Sequence, residues 1–235
     1  MLKLIFFIFI LSSCAQRVKV PINRFFTPEA VGGGVEIETR EAGFSVGVFD
    51  FEDDQTDNPL IMSTTTDQEF YFGLGVSHNI DFFIRVPKQS SSMLGLKVQL
   101  MGTPKKARGT GHQMAFTLGM GSERDQFDSE VEIDLKSDVQ DYSLLHGYRF
   151  NNMFLLYDGI SVSTYEFEGT ISNPGSLENN KLDYTASNII NVFIGGEFGG
   201  ESFNLKTELA AQKIKWSNTE EKTFYYFGYA LTARF

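Results

Sequence analysis

Three histidines, one cysteine and a scatter of charged side chains are the groups in this 235-residue chain that could do chemistry. A histidine works as a general base only with a nucleophile in reach and a third group to orient the ring. His78 lies in the segment HNID, His112 stands just ahead of QMAFTLGM, and His146 shortly precedes RFNN. Each sits beside a turn signal, where an imidazole ordinarily caps or faces an interface. The G-x-S-x-G spelling occurs as GFSVG at residues 43–47, but inside a segment read as a strand and not at a strand-to-helix turn, so no catalytic residue is expected. The carboxylates of DFEDDQTD (Asp50, Glu52, Asp53, Asp54 and Asp57) could gather around calcium. Their spacing does not meet the D-x-D-x-D-G pattern, and a solvated loop whose charges oppose aggregation is the plainer reading. TPKKARGTG holds Lys105, Lys106 and Arg108; a solvated turn is the default, with phosphate or headgroup contact the alternative. No metal and no cofactor is expected.

The remaining charges are more informative because of where they fall. Glu69, Arg85, Lys97, Glu197, Lys206, Glu208 and Arg234 each occupy the polar side of a segment that alternates apolar and polar residues. In EFYFGLGVSH, Phe70, Phe72, Leu74 and Val76 alternate with Glu69, Tyr71, Gly73, Gly75 and Ser77. DFFIRVP, LGLKVQLM, QMAFTLGM, NIINVFIGGEF and SFNLKTELAAQ follow the same rule. Side chains with a period of 2 line opposite faces of a strand. VEIETREAGFSVGVF, DYSLLHGYRF and MFLLYDGISVSTYEF are less regular and read as strands with bulges. Ten strands result, near residues 34–50, 66–78, 81–87, 92–103, 110–121, 136–149, 152–168, 185–199, 201–215 and 222–235. Short connections such as HNID, FNNM and FGGESF alternate with longer polar ones such as FEDDQTDNP, SERDQFDSEVEID and GTISNPGSLENNKLD.

The two ends address the chain. MLKLIFFIFILSSCAQ opens with Lys3, continues apolar from Leu4 to Leu11 and closes on small residues. That is a secretory signal, too short for a spanning helix of about 20 residues. LSSC resembles the bacterial lipobox, which implies cleavage before Cys14 and a diacylglycerol on its thiol. Residues 1–13 are therefore expected to be a signal peptide. Residues 14–33, with Pro21 and Pro28, read as a lipidated tether; Phe25 and Phe26 are expected to pack across one mouth of the folded domain, which spans 34–235. A single cysteine allows no intrachain disulfide. A formal net charge of −10 argues against nucleic acid as a partner. No apolar run reaches 18 residues, yet 23 Phe and 9 Tyr are many for a soluble exported domain.

The closing FYYFGYALTARF places Thr223, Tyr225, Phe227, Tyr229, Leu231, Ala233 and Phe235 on one face. This ending, the alternation and the short–long connections resemble bacterial outer-membrane β-barrels. The resemblance implies an all-β fold: a closed, antiparallel, up-and-down transmembrane barrel of about ten strands, with short periplasmic turns, longer external loops and both termini periplasmic. It also implies that Phe227, Tyr229 and Phe235 form the signal read by the barrel-insertion machinery, with Phe235 in the aromatic girdle. Lipoprotein-processing machinery, outer-membrane lipid and lipopolysaccharide are the partners implied. Enzymes of this class carry Ser/His/Asp groups near the external rim or on the outer flank; the three histidines here are expected near the periplasmic end. A ten-strand bore is narrow and filled by side chains, so the seven inward charges are expected to cross-link a plugged lumen. A lipid-anchored soluble barrel or a β-sandwich would alternate likewise but turn its apolar face inward. The chain carries neither an early G-x-W nor a terminal helix pattern, and its one Trp, Trp216, comes late. The functional expectation is a structural or surface-binding role. A narrow, porin-like channel for ions or small solutes is the alternative, and an enzyme acting on lipid or peptide is a more distant one.

Overall fold

The computed structural model of the chain describes residues 17–48, 61–88, 90–128, 132–172, 179–217 and 220–235. It contains eleven strands and, among the described residues, no helix. They are β1 (Arg17–Pro21), β2 (Gly34–Val48), β3 (Ile61–Gly75), β4 (Ile80–Pro87), β5 (Met93–Met101), β6 (Gly111–Asp128), β7 (Glu132–Asn151), β8 (Phe154–Ser172), β9 (Asn179–Gly199), β10 (Phe203–Ile214) and β11 (Lys222–Arg234). Strands β2 to β11 each pair antiparallel with the next, and β11 returns to β2. The result is a closed ten-strand barrel. Closure gives each of β2 to β11 a neighbour on both sides and so removes the long free edges of an open sheet.

The period-2 alternation decides which way each strand faces. Phe70, Phe72, Leu74, Phe82, Ile84, Val192, Ile194, Leu205, Leu209, Phe227, Tyr229 and Phe235 are all exposed. Their neighbours Glu69, Tyr71, Phe83, Arg85, Asn191, Phe193, Lys206 and Glu208 are all buried. The apolar stripes point outward, the reverse of a soluble barrel, so the soluble alternative does not describe this fold. The outward aromatics cluster toward the end that carries Phe235: the rings of Tyr148, Phe150, Phe154 and Phe198 follow one another at 4.8–5.3 Å.

Two segments read as loops are largely strand. β6 runs to Asp128 and β7 starts at Glu132, leaving 129–131 between them; β8 runs to Ser172 and β9 starts at Asn179. The outward residues there and on the strand ends that lead into them, among them Arg124, Lys136, Asp138, Glu166 and Glu168, are polar. A strand that stands clear of the apolar belt loses the alternation by which it was recognised, although its ladder continues.

The larger difference is the arm. Residues 19–31 are all buried. They run inside the barrel, not across its mouth, and Phe25 and Phe26 lie within the bore. β11 pairs with β2 only from Tyr229↔Glu41 to Arg234↔Glu36. Beyond that point β1 occupies the same edge of β2, from Pro21↔Phe44 to Arg17↔Val48. Tyr226 of β11 lies over Gly43 and bonds Thr66 of β3. A Cβ on Gly43 would sit 2.1 Å from that ring, so only glycine fits. Arg17 is thus at the far end of β2 from Glu36 and the C-terminal rim. A tether hanging on the same side as Phe235 is not the path these described residues take. Residues 1–16, with Cys14 and the signal segment, and the acidic loop at 49–60 lie outside the described residues.

Candidate functional site

The interior is built from alternate positions of neighbouring strands. β2 turns Glu36, Glu38 and Arg40 inward, and the partner strands supply their counter-charges. Glu36 faces Arg234 in register and accepts from its Nε at 2.7 Å. Arg40 faces Glu69 and donates at 2.5 Å. Glu69 also accepts from Arg85 at 2.6 and 3.0 Å, and Arg40 from its other side reaches Glu38 at 2.7 Å. Lys206 bonds Glu38, and Arg234 bridges Glu36 to Glu197. Arg149 joins Glu197 at 3.1 Å to Glu29 of the arm, which it grips with two bonds of 2.5 Å. A continuous chain of ion pairs therefore crosses β4, β3, β2, β10, β11, β9 and β7 and ends on the arm. Lys105, from the turn after β5, joins it at Glu36, 2.5 Å away. Isolated charges in such a place are very costly; here each is answered by the opposite sign and by hydrogen bonds.

All seven charges singled out in the sequence lie inside, but not all are ion-paired in the same way. Lys97 pairs Asp81 at 3.0 Å and donates to the Glu29 carbonyl. Glu208 accepts the backbone N–H groups of Arg24 and Phe25, each at 2.7 Å, one on each oxygen. Phe25 has φ of +53°, a left-handed value rare for an aromatic residue. Consecutive N–H groups converge on one anion in such a turn, forming a nest. The carboxylate thereby holds a strained bend of the arm in the middle of the bore.

The arm is bonded to the wall along its length. Lys19 meets Asp67 at 2.5 Å. Arg24 reaches Asp141 at 2.9 Å and donates to Ser161 and Ser163. The Ala30 N–H donates to Gln99, and the Val31 N–H to Asp81. Phe26 packs on Phe83 and Tyr71, with centroids at 4.9 and 6.0 Å. Both Arg40 and Arg85 lie against its ring, and Arg40 sits 4.2 Å above Tyr71. Nearer the β1 end, Val20, Met62, Val139, Tyr165, Phe167, Ile189, Ile214 and Trp216 form an apolar layer. Glu29, Glu36, Glu38, Arg40, Arg24, Asp141 and Arg149 were not singled out in the sequence. The arm carries no alternation; β2 sets Val35 and Ile37 against Glu36, Glu38 and Arg40, but Glu41, Ala42 and Gly43 interrupt the pattern, so the segment reads as irregular.

The histidines lie on the outer wall. His78 is exposed in the turn after β3. His112 Nδ1 stands 3.2 Å from His146 Nε2, and His146 Nδ1 stands 3.3 Å from Asp158 Oδ2. Asp158 was not anticipated; the register that sets it opposite His146 supplies it. It faces outward midway along the apolar stripe of β8, between Leu156 and Ile160. Phe227, Tyr229 and Phe235 face outward as well, Phe235 being 82% exposed.

No protein-family model matches the chain, and no curated protein does. Among solved structures, the chain is similar to Ail, the attachment invasion locus protein of Yersinia pestis, at 12% identity and a TM-score of 0.39, over 86% of this chain and 99% of that one. It is similar also to a bacterial polysaccharide outer-membrane secretin at 10% identity and a TM-score of 0.27, over 87% and 99%. At such low scores the fold rests on the strand register alone.

Proposed function

We propose that the chain is a small barrel of the bacterial outer membrane with a structural or surface-binding role, its bore filled by its own N-terminal arm. The observation that carries this is the sidedness of the wall: an outward belt of Phe, Leu, Ile and Val around an interior of buried, mutually paired charges. A belt of that kind is stable against acyl chains and unstable in water. The rim that carries the connections after β2, β4, β6, β8 and β10 is the external one, and the Phe235 rim is periplasmic. Phe227, Tyr229 and Phe235 are the groups the barrel-insertion machinery reads. Outer-membrane lipid and lipopolysaccharide are its surroundings. Cys14 carries the lipid, after processing of the signal at residues 1–13.

Protein extracted from outer membranes should migrate in a compact form that heating converts to a slower one. In planar bilayers the intact chain should give no discrete conductance steps. Steps of defined size would replace the filled bore by a narrow channel. Absence of the heat-sensitive form would remove the membrane barrel itself. Mass spectrometry of the mature N-terminus tests Cys14 directly, by the mass of an acylated cysteine.

A further inference from the structure

The path of β1 constrains everything that precedes it. Register pairs Arg17 with Val48, whereas Glu36 of the same strand pairs with Arg234 beside the C-terminal Phe235. From Glu36 to Val48 the strand climbs about 40 Å at ~3.3 Å per residue, or roughly 30 Å along the axis at a tilt of ~40°. The bonds at Lys19, Arg24, Phe25, Glu29 and Val31 hold the arm to the wall over that whole climb.

We propose that the chain passes once through its own barrel, so that the segment ahead of Arg17 emerges on the rim opposite Phe235. The naming of that rim as the outer face of the membrane rests on the orientation given under Proposed function. Cys14 lies three residues before Arg17, a reach of at most ~11 Å. It cannot return to the Phe235 rim while β1 stays paired. Any group that Cys14 carries is therefore confined to within ~11 Å of Arg17, on the loop-bearing side. The arm's partners lie on β2, β3, β4, β5, β7, β8 and β10.

The experiment uses the full chain in cells, with one epitope tag at a time: between Gln16 and Arg17, after Pro174 in the β8–β9 connection, or between Asn151 and Asn152 in the β7–β8 turn. Antibody binding to intact cells is compared with binding after the outer membrane is permeabilised, on protein that shows heat-modifiable migration. The tags at 16 and 174 should bind equally on intact cells, and the tag at 151 only after permeabilisation. If the tag at 16 sorts with the tag at 151, the threaded path is wrong while the barrel reading stands. If 16 and 174 sort together on the inner side, the path stands and the orientation falls. A second measurement needs no tag. Val20 and Ser45 are register partners, so Val20→Cys with Ser45→Cys should form a disulfide seen as a reductant-sensitive mobility change, which neither single substitution gives. No such change in folded protein would overturn the threaded arm.

Discussion

Glu208 shows what an inward charge does in this bore. It sits opposite Gly228 and Gly195 in register, where neither strand offers a cation, and it is answered by the arm's own N–H groups. Removing it strips the bend at Phe25 of its anchor. Glu208→Ala should destabilise the compact form by about 1–3 kcal/mol for the donors left unsatisfied, read as a lower temperature of its loss. Glu208→Gln, which keeps one acceptor oxygen, should lose less. Arg85→Ala leaves Glu69 with Arg40 alone and should cost a comparable amount. A negligible change at both positions would argue against the network. Asp158 carries the opposite sign. An ionisable group facing acyl chains near the middle of the belt is unfavourable, less so for Asp than the ~2–4 kcal/mol of a basic residue. Asp158→Leu should therefore raise stability in vesicles, measured by urea unfolding; a loss would show that the contact with His146 holds the wall.

At the scale of elements, the seam between β2 and β11 is the point where the barrel depends on the arm. Beyond Glu41 the edge of β2 is paired by β1 in place of β11, with Tyr226 laid over Gly43. Gly43→Val should displace that ring and cost about 1–3 kcal/mol, the usual range for overpacking, read as a lower unfolding temperature. Deleting residues 17–31 removes the partners of Glu208, Arg149 and Asp141 together. The shortened chain should either fail to give the compact form or give discrete conductance steps that the intact chain lacks. A chain that stays compact and silent without its arm would show that the wall residues alone occlude the bore.

For the whole molecule, the charges are arranged in opposite senses inside and outside. The chain as a whole has a formal net charge of −10; outside the bore lie polar strand extensions such as Lys136, Asp138, Glu166 and Glu168, whose outward positions leave them screened by salt. Inside, acids and bases are buried in near-equal number and shielded from it. The compact form should therefore keep its unfolding temperature nearly constant between low and high salt. A steep dependence would place the ion pairs in contact with water.

Much of this was legible in the residues as written. Period-2 alternation with Phe, Leu, Ile and Val on one side requires strands, and the closing FYYFGYALTARF marks the wall that faces outward, because side-chain direction in a strand is local. Five of the ten wall strands, β3, β6, β7, β8 and β9, run past their expected bounds where they rise above the apolar belt and the outward residues turn polar. The arm was another matter. Residues 17–31 have no periodicity, and two prolines and scattered charges read as a tether when the chain is considered alone. Their role depends on partners up to 191 residues away, brought together only when β11 meets β2. Local propensity determined the wall and its facing; long-range register decided what fills it and set Arg17 at the end of β2 opposite Glu36, since a buried charge is stable only where its counter-charge happens to arrive.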